Sequence, residues 1–210
     1  MRRLGLALYA EGSDDYLFLP PLLRRAAETL CCARASQIVE IGEVIPLKPP
    51  ETAREEALES KVFQAAKDAL GAFEIFFLHA DGGGDADRAR EQRIIPATMR
   101  IRKQLGESAG RSVAVVPVRE MEAWTMADGD ALRRAFGTSL DNAELKVPSL
   151  PREVERIRDP KFTFNQAFDA SRRRRQRRKN QLQIFSISSE KLLICQSCVR
   201  FLPLKHSKMS

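Results

Sequence analysis

The stretch FEIFFLHADGGGDAD, residues 73–87, decides how the rest of the chain is interpreted. It begins with a continuous apolar run, FEIFFL, which is typical of a strand buried on both faces of a parallel sheet. The run ends at His79, and a series of acidic and glycine residues then leads into a helix predicted at 87–105. The pattern predicts a buried strand that presents polar side chains at its carboxyl end.

The sequence on both sides of this stretch alternates between strand and helix patterns. Further strands are predicted at residues 4–10, 38–47 and 113–118. Further helices are predicted at residues 15–34 and 51–70, and from about residue 119 toward 136. Regular alternation of this kind predicts the α/β class, with a mostly parallel central sheet flanked by helices.

Composition divides the chain into three parts. Residues 1–136 form the predicted α/β core, and residues 137–170 are proline-containing and predict a loop with a short helix at 152–158. Residues 171–210 hold 11 of the 35 Lys and Arg residues but one of the 28 acids, so this tail carries +10 and the preceding residues −3. The tail also lacks alanine and glycine. We interpret it as a basic segment that is either disordered or translated out of the ancestral frame from about residue 180.

Hydropathy and cysteine usage exclude several classes of protein. No apolar run approaches the roughly 20 residues needed to cross a bilayer, and acids interrupt the N-terminal apolar stretch before a signal peptide could form. Cys31 and Cys32 are adjacent, while Cys195 and Cys198 form a distant CxxC. This spacing suits neither a secreted disulfide framework nor a repeated zinc knuckle. We therefore expect a cytoplasmic protein with no membrane partner.

Acidic residues follow three of the four predicted strands. These candidate site residues are Glu11 after the first strand, Asp81, Asp85 and Asp87 after the third, and Glu120 and Glu122 after the fourth. The carboxyl ends of parallel strands meet at one edge of a sheet, so these side chains are expected to converge there. Grouped carboxylates repel unless protons or cations bridge them, and oxygen ligands suit Mg²⁺ or Mn²⁺. Glycines 82–84 would let a ligand approach the backbone amides closely.

Each acid also has an ordinary structural explanation. Asp14 or Asp15 suits the N-cap of the first helix, and Glu120 and Glu122 suit a helix N-terminus through its dipole. Asp85 and Asp87 suit a solvated, glycine-rich turn. The metal-site hypothesis therefore depends on the joint placement of the acids at three strand ends.

Three segments carry a resemblance to a known family. LYAEGSDDYLFLPPLL (8–23), FFLHADGGGDADRAR (76–90) and VAVVPVREMEAWTMAD (113–128) resemble the Toprim-like proteins grouped as the domain-of-unknown-function 4276 family. The likeness covers about residues 1–170. It implies a Toprim-like fold, with Glu11 as the general acid/base.

The resemblance also implies a metal-holding set of aspartates. In Toprim domains a DxD motif begins where a strand ends, whereas here Asp81 stands alone at that point and the literal DxD is Asp85-Ala86-Asp87. Which two of these aspartates would bind the metal therefore stays open.

Together, these observations predict a Mg²⁺- or Mn²⁺-dependent phosphoesterase, most plausibly a nuclease acting on DNA or RNA. The alternative is a non-catalytic Toprim-like module that regulates or contacts a protein partner. Nucleic-acid binding through Arg172, Arg173, Arg174 and Arg175 would require phosphate contacts alone, and the competing interpretation of these arginines is a solvated, disordered segment.

Overall fold

The computed structural model describes residues 2–48 and 55–172, and these form a four-stranded parallel sheet flanked by helices. The strands are β1 (Arg2–Tyr9), β2 (Val39–Pro46), β3 (Ile75–His79) and β4 (Arg111–Val115). Their order across the sheet is β2-β1-β3-β4, and every neighbouring pair is parallel. The predicted α/β class is confirmed.

The helices connect successive strands and continue after the last one. They are α1 (Asp15–Arg34), α2 (Leu58–Asp68), α3 (Ala86–Ala89), α4 (Ile95–Leu105), α5 (Met121–Thr125), α6 (Gly129–Phe136) and α7 (Pro160–Arg172). A π-helical segment, Arg90–Ile94, joins α3 to α4. Short 3₁₀ helices lie at Gly106–Ala109 and Pro151–Arg156. No helix in the described ranges is long and apolar enough to cross a membrane.

Strand β1 shows why the sheet is buried on both faces. Successive side chains of a strand point to opposite faces, so Leu6 and Leu8 pack on one side while Ala7 and Tyr9 pack on the other. The first side is covered by α1, α5, α6 and α7, and the second by α2 and the helix formed by α3, the π segment and α4. The core therefore consists of two apolar layers separated by the sheet.

Two features after β4 differ from the prediction. The predicted continuous helix is divided, because the side chain of Asp128 accepts a hydrogen bond from the Ala131 amide and begins α6 as a new helix. Residues 160–172 form α7, where the sequence predicted a loop. Phe164 and Ala167 of α7 are buried in the same core as β1, so residues 137–170 pack onto the α/β core.

Tyr16, at the start of α1, holds the carboxyl ends of β1 and β2 together. Its hydroxyl accepts a hydrogen bond from the Ala10 amide at 2.9 Å and lies 2.7 Å from the Leu47 carbonyl oxygen, to which it donates. Burial is the main reason that the pKa of Tyr16 is raised, so the hydroxyl keeps its proton. This contact fixes the direction in which the chain leaves β1, toward Glu11.

We expect Tyr16→Phe to destabilise the fold by about 1–2 kcal/mol, because the partly buried amide and carbonyl groups lose their partner. Thr29→Val is the control, since it removes a hydroxyl that bonds only the Arg25 carbonyl on the exposed side of the same helix. Urea unfolding monitored by circular dichroism measures both. Equal losses in the two variants would show that the Tyr16 contact is unimportant.

Candidate functional site

The carboxyl ends of the three adjacent strands β1, β3 and β4 meet at one edge of the sheet. Tyr9 pairs with Leu78, and His79 pairs with Val115, so the strand ends are level with one another. The loops that follow carry Glu11, Asp81 and Glu120, and Glu122 lies in the first turn of α5, directly after the β4 loop.

Asp81 is the central carboxylate of this edge. Burial is the largest influence that raises its pKa, the charge of His79 opposes it, and the charges of Asp15, Glu120 and Glu11 raise it further. The Oδ1 atom of Asp81 is buried without a hydrogen-bond partner, and so is Oε2 of Glu120. Acids from all three strand ends therefore act on one another electrostatically.

Glu122 belongs to the same group of acids. Burial raises its pKa, its own backbone hydrogen bond lowers it, and the charge of Glu120 raises it again. Smaller effects come from Lys161 at the start of α7, which lowers the pKa, and from Asp81, which raises it. Four of the six predicted acids, Glu11, Asp81, Glu120 and Glu122, are thus brought to one edge of the sheet.

Asp85 and Asp87 have other partners. The side chain of Asp85 caps α3 by accepting a hydrogen bond from the Arg88 amide at 2.9 Å. Asp87 is 84% exposed and pairs with Arg90 at 3.1 Å, one turn along the helix. The ordinary structural explanation therefore accounts for the contacts of both residues.

The predicted arginine site lies almost wholly outside the described residues. Arg172 is the last residue of α7, and its guanidinium stacks 5.0 Å from the ring centroid of Phe168. Arg173, Arg174 and Arg175 fall outside the ranges that the structure describes.

His79 and Asp15 are members of the site that sequence reasoning did not assign to it. His79 is 1% exposed, and its Nδ1 lies 2.9 Å from the Val115 carbonyl oxygen, which makes Nδ1 the donor. Its Nε2 faces Asp15 Oδ2 at 3.4 Å and Asp81 Oδ1 at 3.6 Å, without hydrogen-bond geometry to either. Burial lowers the pKa of His79, but Asp15, Asp81 and the Val115 carbonyl outweigh it, so the pKa is raised.

The sequence predicts Asp14 or Asp15 as the N-cap of α1; Asp14 occupies that position but its side chain makes no capping hydrogen bond, and Asp15 has other contacts. Its Oδ2 accepts a hydrogen bond from the Gly12 amide at 2.9 Å, which ties the start of α1 to the loop that carries Glu11. The same carboxylate faces His79. The sequence does contain one indication of this arrangement, because His79 ends an apolar strand and is followed closely by acids.

Arg93, in the π-helical segment, is a third residue of this edge that the sequence did not predict to be there. One nitrogen of its guanidinium, Nη2, is paired with the Glu11 carboxylate, and the other, Nη1, donates to the backbone oxygen of Asp81 at 3.2 Å. The arginine therefore bridges the loops after β1 and β3. Nothing in its local sequence distinguishes it from the neighbouring arginines of the same helix.

The glycine run has a different role from the one predicted. A side chain at Gly82 would overlap the carbonyl oxygens of Pro117 and Val118, so the two loops touch through their backbones. The amides of Gly83 and Gly84 donate to the carbonyls of Arg119 and Val118, at 3.1 and 2.8 Å. These amides serve loop packing, which holds Asp81, two residues after the end of β3, beside the residues after β4.

Glu155, in the 3₁₀ helix of residues 151–156, supports the β4 loop from the other side. Its carboxylate accepts hydrogen bonds from the Val118 amide, at 3.0 Å, and from Nε1 of Trp124. The segment after α6 thereby fixes the peptide that leads to Glu120. This explains why a segment predicted as an extension packs closely against the candidate site.

The side chains fit a divalent ion in part. Among the residues that the structure describes, no three His, Cys, Asp or Glu side chains are arranged to hold a metal ion together. Mg²⁺, however, is commonly bound through one or two carboxylates, with water and substrate phosphate completing its shell. The unpartnered oxygens of Asp81 and Glu120 are suitable donors for that type of coordination.

Comparisons with models of protein families, with curated proteins and with solved structures give no significant match. The Toprim-like resemblance accordingly stays a prediction.

We expect Gly82→Ala to destabilise the fold by about 2–3 kcal/mol, because the new methyl group overlaps backbone that cannot move without disturbing both loops. Gly83→Ala is the control: Gly83 has a φ of +59° but open space around it, so its cost is about 1 kcal/mol of backbone strain. Chemical unfolding compares the two. A smaller loss in Gly82→Ala would contradict the close packing of the loops.

The titrating groups of the site predict a pH dependence. The pKa values of Asp81, Glu122 and His79 are all raised, so these three groups bind more protons in the folded chain than in the unfolded chain. Their stabilisation is present at low pH and is lost as pH rises through the raised values. In metal-free buffer the melting temperature should fall between about pH 5 and about pH 8, and the slope should be shallower in Glu122→Gln. A melting temperature that rises over this interval would contradict the assignment.

Proposed function

We propose that the chain is a Mg²⁺- or Mn²⁺-dependent phosphoesterase, most plausibly a nuclease acting on DNA or RNA. The observation that carries the proposal is the meeting of Glu11, Asp81, Glu120 and Glu122 at the carboxyl edge of a parallel sheet, with two of their oxygens buried and unpartnered. Ligand sites of open α/β sheets lie at this edge. The resemblance to Toprim-like proteins supports the same chemistry.

The acids divide into two roles in this proposal. Asp81 and Glu120 would hold the ion through their unpartnered oxygens, and Glu122 would add negative charge beside them. When bound, a divalent ion polarises the scissile phosphate and lowers the pKa of an attacking water. Glu11 belongs to the same edge but is paired with Arg93 and takes no part in holding the ion, so in this proposal it would accept a proton when its carboxylate is released from the guanidinium.

His79 would orient Asp81, one of the two ion-holding acids. Its hydrogen bond to Val115 fixes the ring between β3 and β4, so that Nε2 points toward Asp81 and Asp15. Groups outside the ligands themselves commonly fix the orientation of metal-binding carboxylates.

The second candidate is a non-catalytic module whose acidic edge contacts a protein partner. Glu11 is neutralised by Arg93, and the described residues contain no ready three-ligand metal group; both observations favour this alternative. Metal-dependent cleavage discriminates between the two candidates.

Calorimetry with Mn²⁺ tests metal binding. We expect Asp81→Asn to weaken binding by about tenfold or more, because it removes both an anionic charge and an oxygen donor from a hard-cation site. Asp87→Asn is the matched control, since Asp87 is exposed and paired with Arg90. Mn²⁺ affinity that is equal in the parent and in Asp81→Asn would favour the non-catalytic module.

Cleavage of plasmid DNA and of labelled DNA and RNA oligonucleotides tests the chemistry. In the presence of Mn²⁺, Glu11→Gln should reduce turnover by roughly 10²–10⁴-fold while leaving Mn²⁺ affinity nearly unchanged, because a proton acceptor is lost but no ion-holding oxygen is. Absence of cleavage by the parent chain would contradict the nuclease proposal. Normal turnover in Glu11→Gln would remove Glu11 from the mechanism.

A further inference from the structure

Arg93 has two contacts that no local helical pairing explains. Its guanidinium joins the Glu11 carboxylate to the backbone of Asp81, although Glu11 lies 82 residues earlier in the chain. The residue comes from the π-helical segment Arg90–Ile94, in the middle of an otherwise α-helical stretch. Single π-helical turns occur frequently at functional sites.

Arg90, from the same segment, shows what an ordinary pair looks like there. It contacts Asp87, three residues earlier, and that aspartate is 84% exposed. Arg93 instead reaches across to the edge of the sheet where the acids meet. The two arginines thus have the same backbone setting but different partners.

The pairing with Arg93 occupies one oxygen, Oε2, of the Glu11 carboxylate that the proposed reaction requires. A Glu11 oxygen engaged by a guanidinium is not free to accept a proton from water. The pair is also accessible, because the side chains of Arg93 and Glu11 are 39% and 31% exposed. An incoming anion can therefore compete with Glu11 for the guanidinium.

We infer that Arg93 binds a phosphate group of the substrate and that phosphate displaces Glu11 from the guanidinium. The planar guanidinium matches phosphate oxygens with two parallel hydrogen bonds, as it does carboxylate oxygens. Binding would place the phosphate beside Asp81 and release Glu11 at the same time. This inference rests on the proposed function, and it assigns the substrate contact to a residue of the described core.

Phosphate binding in metal-free buffer tests the exchange without any cleavage. The probes are inorganic phosphate, followed by ³¹P NMR titration, and a single-stranded DNA oligonucleotide, followed by fluorescence anisotropy. Arg93→Gln should weaken binding of phosphate by about tenfold or more, because a charge-assisted pair is lost. Glu11→Gln should instead tighten binding several-fold, because the competing carboxylate is removed.

The double variant separates this exchange from a general charge effect. In the Arg93→Gln background, Glu11→Gln should change phosphate affinity little, since the group for which the two anions compete is absent. Equal tightening in both backgrounds would overturn the inference. Arg90→Gln is the control for Arg93→Gln, and Asp87→Asn is the control for Glu11→Gln. A control that changes phosphate affinity as much as the variant matched to it would also overturn the inference.

Arg93→Lys guards against a loss of folding in Arg93→Gln. Lysine keeps the positive charge but cannot donate two parallel hydrogen bonds. The phosphate affinity of Arg93→Lys should therefore lie between those of the parent and Arg93→Gln. An affinity equal to that of the parent would overturn the role of the guanidinium geometry. If the affinity for the oligonucleotide decreases in the same order, from the parent to Arg93→Lys to Arg93→Gln, the phosphate belongs to a nucleic acid. If only the affinity for inorganic phosphate changes among these variants, the phosphate belongs to small phosphate esters. Absence of cleavage with Mn²⁺ would contradict the nuclease proposal but leave the phosphate result intact.

Discussion

The backbone contact between the glycine loop after β3 and the loop after β4 is the constraint on which the candidate site depends. Two amide hydrogen bonds join the loops, and Gly82 lies where no side chain fits. Parallel strands alone bring their ends to one edge, but they do not determine how the following loops turn. This contact turns the β3 loop toward β4, so that Asp81 and Glu120 act on one another.

The fold also compensates for the grouping of these acids at one edge. Carboxylates that share a partly buried edge raise one another's pKa, and the fold offsets this repulsion with cations from three different elements. Arg93 comes from the π-helical segment, His79 from β3 and Lys161 from α7. Arg93 and Lys161 lie far along the chain from Glu11 and Glu122, and His79, although only two residues from Asp81, also faces Asp15 from a different element, so the compensation depends on the tertiary structure.

That dependence sets the limit of what the sequence could predict. Apolar periodicity and the run FEIFFL were sufficient for the α/β class and for the strand ends that carry Glu11, Asp81, Glu120 and Glu122, because these features are local. Helix α7 was missed because its apolar residues, Phe164 and Ala167, reveal their purpose only when packed on a distant core. The glycine run was read as a ligand cradle since glycine permits close approach of any group, and the sequence does not say which group approaches.

The partners of individual side chains were similarly out of reach. Asp14 and Asp15 were both suited to the helix cap by position, and no local feature distinguishes Arg93 from the other arginines of its helix, because a contact across 82 residues leaves no local pattern. Asp85 and Asp87 formed the literal DxD motif, yet each has a local partner that accounts for it. The positions of the acids after the strands therefore predicted that Glu11, Asp81, Glu120 and Glu122 meet at one edge of the sheet, but not the other residues that meet there.

The unpartnered oxygens provide the strongest physical reason to regard this edge as a binding site. A buried acceptor without a donor is unfavourable by about 1–3 kcal/mol, and folded proteins satisfy nearly all such groups. In the described part of the chain, Oδ1 of Asp81 and Oε2 of Glu120 accept no hydrogen bond, although His79 Nε2 faces Asp81 Oδ1 at 3.6 Å; the amides of Gly83 and Gly84 lie in the adjacent loop. Those amides bond to the carbonyls of Val118 and Arg119 instead. A loop that directs its donors toward backbone and leaves two carboxylate oxygens without hydrogen bonds favours the binding of a cation or a hydrogen-bond donor at this edge, because either would satisfy a buried acceptor.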